Sequence, residues 1–220
     1  MSKVAGPPMT KATALAPGVL LPPAELERVC KAMAMLEAIL SPDFEFRYYS
    51  YNCHWDDALS QRVASMQNGS GDEYFILFQP SGVILKGYEQ AHRLGTREAV
   101  TDLFAAVPSH YSDFLNEPAF ELENSTFCYW HDGQWEKAEG VAEPDKNGST
   151  SLLGILTGRP EDYQAYAEGY YLSEVPIESV RKIFSITPLT QELVASLNPD
   201  VSIEQLASDI AEIGYPLKQG

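Results

Sequence analysis

The stretch from Met66 to Tyr88, M-Q-N-G-S-G-D-E-Y-F-I-L-F-Q-P-S-G-V-I-L-K-G-Y, constrains the fold more than any other part of this chain. An Asn-Gly-Ser-Gly-Asp-Glu turn feeds the run Tyr74, Phe75, Ile76, Leu77, Phe78. Pro80-Ser81-Gly82 then reverses the chain into Val83, Ile84 and Leu85. Two aromatic and β-branched runs joined by a short Pro-Gly turn form an antiparallel hairpin. The first run does not alternate between apolar and polar. Both faces of its strand must therefore be covered, which places it in the middle of a sheet.

A chain of 220 residues with 45% hydrophobic side chains can bury a substantial core. Its formal net charge is −16, from 31 acids and 15 bases. Such a balance argues against nucleic acid, because phosphate binding needs a basic face. The charge is uneven. Residues 1–100 hold 11 acids and 9 bases, whereas residues 101–220 hold 20 acids and 6 bases. Solubility alone accounts for such a surplus; the sharper reading is a surface that recruits a basic protein partner, since a concentrated field of one sign speeds association with the other sign. Three scattered cysteines, Cys30, Cys53 and Cys128, suit a reducing compartment better than a disulfide framework. No apolar run approaches the roughly 20 residues that span a bilayer, and Ala14 to Leu21 is interrupted by Pro17-Gly18. The expectation is a cytoplasmic protein without membrane association.

In chain order, residues 1–21 carry Pro7, Pro8, Pro17 and Gly18 without a sustained period, and are expected as a flexible tail before a single α+β domain over 22–220. Pro22-Pro23 opens a helix with the apolar stripe Leu26, Val29, Cys30, Met33, Leu36 and Leu40, ending before Ser41-Pro42. Asp43 to Tyr51 alternates as a half-exposed strand, with Phe44, Phe46 and Tyr48 on one face. Together with Gln61–Gln67 and the hairpin it makes a four-strand meander over 43–88. Thr96 starts a helix, Val107-Pro108 breaks it, and a second short helix sets Tyr111, Phe114 and Leu115 on one side. Thr126 to Trp130, a His131-Asp132-Gly133 turn and Trp135 form another hairpin. A loop over 138–151 leads to a short buried strand at Leu152–Leu156. Four short helices follow between Pro160 and Gly214; the last begins with the Ser202/Gln205 capping box. Strands gathered over 43–156 and helices over 160–214 give α+β, an antiparallel meander with an N-terminal helix and a C-terminal helical layer.

Three constellations offer chemistry. Cys53-His54 and Cys128-x-x-His131 supply the ligand types of a zinc site, or a thiol nucleophile with its base. They do so only if the fold brings them together; as ordinary strand-end residues they need no function. The carboxylates Asp56-Asp57 and Asp72-Glu73, with His54, could serve a hydrolase or a metal-dependent enzyme. Turn chemistry explains Asp72 equally well. Gly69-Ser70-Gly71 lacks the lysine and spacing of a phosphate loop, so no nucleotide or other cofactor is implied. The third is a stripe on the helix after Pro160: Tyr163, Tyr166 and Tyr170 among Glu161, Asp162 and Glu168. Amphipathic rings set among carboxylates have the composition of a surface that grips a basic protein, and these six are the candidate partner-binding residues; the alternative is that the rings pack on the sheet with their hydroxyls in water.

Residues 66–78, with P-L-T-Q-E-L-V at 188–194 and L-N-P-D-V at 197–201, resemble a group of uncharacterised bacterial proteins. The nine residues Val107-Pro108-x-x-Tyr111-x-x-Phe114-Leu115 are similar to the Pro-x-x-Tyr-x-x-Phe-Leu pattern of Smi1/Knr4-type immunity proteins. Asn116-Glu117-Pro118 stands where those proteins carry Asn-Gly-Gly. That resemblance implies a non-catalytic acidic binding protein that occludes a toxin. The competing expectation is an enzyme built on His54, Asp56, Asp57, Asp72 and Glu73.

Overall fold

The computed structural model describes residues 12–14, 16 and 19–218. Among these, seven strands form one antiparallel sheet: β1 (Ala12–Ala14), β2 (Tyr49–Asp56), β3 (Gln61–Gln67), β4 (Glu73–Gln79), β5 (Gly82–Tyr88), β6 (Phe127–His131) and β7 (Trp135–Ala138). Strands β2 to β7 follow one another as a meander, and β1 pairs with the outer edge of β7. Thus Ala12–Ala14, within the stretch expected as a tail, is an edge strand. The residues before it lie outside the described ones.

Strand β4 is interior, as its unbroken apolar run requires. Tyr74, Ile76 and Phe78 enter the core on one face of the sheet, while Phe75 and Leu77 pack on the other. Its register with β5 pairs Ile76 with Leu85 and Phe78 with Val83, so the Pro80-Ser81-Gly82 turn closes the hairpin.

Two helical layers cover the sheet. On the first face lies α1 (Pro23–Leu40), itself roofed by α5 (Pro160–Tyr171), α6 (Ile177–Phe184), α7 (Gln191–Leu197) and α8 (Ala207–Ile213). Every residue from Ala32 to Ile39 is buried, so α1 is more than the one-faced stripe read from its sequence. Its second face is needed because it is packed on both sides. On the opposite face lie α2 (Arg97–Phe104), α3 (Ser112–Asn116) and a 3₁₀ turn at Pro118–Phe120. There Tyr111, Phe114, Phe120 and Leu103 pack against Leu77, Ile84 and Trp130, making the Pro108-to-Leu115 motif a core element.

Two segments depart from the alternation read in the sequence. Asp43–Tyr51 is not one strand: Phe44–Phe46 is a 3₁₀ turn, and pairing with β3 begins only at Tyr49, opposite Met66. Beyond Gln67 the chain turns into β4, so residues 43–47 have no strand to pair with and close i→i+3 bonds instead, Phe46 N to Asp43 O and Arg47 N to Phe44 O. Strand β2 continues to Asp56, but its register with β3 shifts between Asn52, opposite Val63, and Asp56, opposite Gln61, so Cys53 and His54 sit at an irregularity near the strand's end. Leu152–Leu156 is likewise not a strand. Helix α4 (Ser149–Leu153) takes its place because β1 already occupies the free edge of β7. Asn147 Oδ1 accepts from Ser149 N at 3.0 Å, at the start of that helix.

Candidate functional site

Helix α5 carries all six candidate partner-binding residues. Pro160 stands at its first position, and Glu161 and Asp162 fill the first turn, where the helix N-terminus favours negative charge. The tyrosines face inward. Tyr163 is fully buried, and its hydroxyl donates to Glu37 Oε1 at 2.7 Å. Glu37 is buried on α1; its Oε2 accepts from Tyr48 N at 2.7 Å and Tyr171 Oη at 3.1 Å. Burial pushes the Glu37 carboxyl above the usual carboxylate range, and these hydrogen bonds oppose the shift only in part. Tyr166 packs its ring 5.2 Å from Tyr49 and 5.6 Å from Tyr163. Tyr163 therefore cannot contact a partner; it ties α5 to α1.

Part of the stripe reaches the surface. Glu161 and Glu178 both pair with Arg181, at 2.7 and 2.6 Å, and Asp162 pairs with Arg159 at 3.1 Å. Exposed Glu168 accepts from Val175 N at 3.2 Å. Tyr170, half-buried, packs its ring at a tilt against Tyr48, 4.4 Å between centroids, and its hydroxyl donates to Phe46 O at 3.0 Å. Through that bond the end of α5 meets the Phe44–Phe46 turn. Phe44 is 65% exposed and Phe46 52%, and Leu172, two residues beyond Tyr170, is 88% exposed. Leu172 also holds a left-handed backbone, φ 52°, which costs a non-glycine residue about 1–2 kcal/mol.

The turn is held by Arg47. Its Nε donates to Ser41 O at 2.7 Å, Nη2 to Pro42 O at 2.8 Å, and Nη1 pairs with Asp209 at 2.5 Å. Its guanidinium lies 5.6 Å from the Phe44 ring centroid. Asp43 and Glu45, both exposed, flank the rings. A fixed apolar patch with a carboxylate rim is the result. Sequence reasoning missed Phe44, Phe46 and Leu172 as surface groups. The signal available was Ser41-Pro42-Asp43, a turn-initiating triplet directly before the two phenylalanines.

The residues of the competing enzyme reading do not converge. Asp56 and Asp57 lie beside one end of β3, while Asp72 and Glu73 lie at the other; Gln61 to Gln67 separates them by about 20 Å at strand rise. Each has a local partner. Asp56 Oδ1 accepts from Leu59 N at 3.1 Å, and exposed His54 meets Asp57 at 2.8 Å. Asp72 accepts from Asn68 Nδ2 and Gln90 N, both at 2.9 Å, which is turn chemistry. Glu73 pairs at 2.6 Å with Lys86, a fully buried lysine that also donates to Asn124 O at 2.9 Å. The thiols are equally apart: Cys53 packs toward α8 on one face, while Cys128, four strands away in β6, is buried on the other. Among the described residues, no group of three or more His, Cys, Asp or Glu side chains comes together as a metal site.

The acidic surplus is divided as well. Residues 101–157 and 160–218 hold ten acidic side chains each. The second set lies on the outer helices α5 to α8 and their connections; the first lies along α2, α3 and the loops around β6 and β7. The excess charge is thus not confined to the helical layer.

Comparison with known protein families, curated proteins and solved structures returns no match.

No helix among the described residues is long and apolar enough to cross a membrane. What distinguishes the surface at this site is the exposed pair Phe44 and Phe46, flanked in the chain by Asp43 and Glu45 and tied to α5 through Tyr170.

Proposed function

We propose that this chain is a non-catalytic protein-binding domain, and that it docks a basic partner on the Phe44–Phe46 turn and the C-terminal end of α5. The observation that carries the reading is the exposure of Phe44 and Phe46, held in place by Arg47 and by the Tyr170 bond to Phe46 O. Exposed aromatic rings rimmed by charge mark interaction surfaces, and rings held rigid before binding lose little entropy on docking. Leu172 points the same way. Its left-handed backbone ends α5, a position where glycine is the usual residue, and its leucine side chain stands in water where a partner could cover it.

The rim carboxylates would meet lysine or arginine side chains of the partner. A cytoplasmic immunity-type protein that occludes a basic toxin is one instance of this function. The test is a pull-down at low and high salt with the wild type beside Phe44→Ser/Phe46→Ser and beside Asp43→Lys/Glu45→Lys. Both variants alter exposed side chains and should fold normally. The expected result is a basic protein retained by the wild type at low salt, weakened by high salt and lost with either variant. Retention of the same partner by both variants would refute the proposed surface.

A further inference from the structure

We infer that the cleft between α2 and the 122–125 segment, on the face of the sheet opposite the proposed docking surface, binds an organic carboxylate with an apolar body. The cleft measures about 810 Å³, within the range of small-molecule sites. One wall is apolar: Leu94, Val100, Phe104, Leu115 and Leu122. Arg93 and Arg97, both exposed, line the same cleft, and neither makes an ion pair among the described residues. That is unusual in so acidic a chain. Arg28, Arg47, Arg62, Arg159 and Arg181 are all engaged by carboxylates. The two arginines without one line the same cleft.

Two further features suit an anion there. Thr96 caps α2, its Oγ1 accepting from Ala99 N at 3.1 Å, which leaves the amides of Arg97 and Glu98 free at the positive end of the helix. Ser125, also in the cleft lining and 2% exposed, has a hydroxyl with no hydrogen-bond partner among the described residues. A buried hydroxyl left unpaired is costly, and a ligand oxygen would satisfy it. The head group should carry one negative charge. Glu123 lines the same cleft and Glu98 sits in the first turn of α2, so a doubly charged phosphate would be opposed more strongly than a carboxylate.

Calorimetric titration with decanoate, decanol, decylammonium and inorganic phosphate tests the assignment, with amide chemical shifts followed in parallel. Decanoate should bind, the other three should bind at least about tenfold more weakly, and the shifts should cluster at residues 93–101 and 122–125. Arg93→Gln/Arg97→Gln should reduce decanoate affinity by about tenfold or more, and Ser125→Ala should reduce it by a smaller factor. Equal affinity for decanol, tighter binding of phosphate, shifts clustered elsewhere, no decanoate binding, or undiminished binding by the double variant would each overturn the assignment. Loss of the protein-docking surface by Phe44→Ser/Phe46→Ser should leave decanoate binding unchanged.

Discussion

Replacing Glu37 tests whether the junction of α1 and α5 is held by a buried carboxyl. In Glu37→Leu the side-chain volume is nearly kept, but Tyr163 Oη, Tyr171 Oη and Tyr48 N lose their acceptor. An unpaired buried donor costs about 1–3 kcal/mol. Tyr171 is half-exposed and can turn to water, whereas Tyr163 cannot. The expected loss is therefore about 2–5 kcal/mol, a large part of a typical domain's stability. Glu37→Gln keeps one acceptor and gains a donor for a tyrosine oxygen, so its cost should be under about 1 kcal/mol near pH 7. The pH dependence has a definite sign. The folded-state pKa of Glu37 lies above its unfolded value, so the folded state binds the proton more tightly. Its contribution is complete below the unfolded pKa and is lost as pH rises through the folded one. Urea unfolding followed by tryptophan fluorescence, from about pH 4 to pH 8, should thus show Glu37→Gln gaining on the wild type as pH increases. The reasoning fails if Glu37→Leu costs less than about 1 kcal/mol, or if wild type and Glu37→Gln run parallel across that range.

Other outcomes follow from single contacts. Glu73→Ala should cost about 3–5 kcal/mol in urea unfolding, because it strands the buried Lys86 ammonium; the deficit should shrink at alkaline pH as the amine sheds its proton. Gly87→Ala should cost about 1–3 kcal/mol by the same assay, since an added Cβ would meet Phe127 Cζ at 2.1 Å. Leu172→Gly should stabilise the chain by about 0.5–1 kcal/mol by relieving left-handed strain while weakening capture of the basic partner, and a variant that moves both in the same direction contradicts the docking role. Asp72→Asn should leave stability within about 1 kcal/mol, because the amide oxygen can still accept from Gln90 N.

Much of the fold was legible because it depends on local chemistry. The unbroken run Tyr74–Phe78 required two covered faces, and the structure covers both. Pro23 and Ser41-Pro42 bracket α1, Thr96 caps α2, and Ser202 and Gln205 bond reciprocally as their spacing implies, although α8 begins only at Ala207. The candidate site was legible only in outline. Glu161, Asp162, Glu168 and Tyr170 do reach solvent in part, yet Tyr163 was indistinguishable from them in sequence, because a tyrosine stripe reads the same whether it faces water or a buried carboxyl.

By itself, then, the order of residues determined the hairpins, the helix ends and the α+β class, since each follows from backbone preferences within a few positions. Tertiary structure alone decided that Phe44 and Phe46 face solvent, that Leu152 is helical, that His54 and Glu73 lie beside opposite ends of β3, and that Arg93 and Arg97 share a cleft. The physical reason is common to all four. A strand needs a neighbour with free hydrogen bonds, and a site needs groups brought together across the chain; both are properties of which surfaces meet, and no local pattern specifies them.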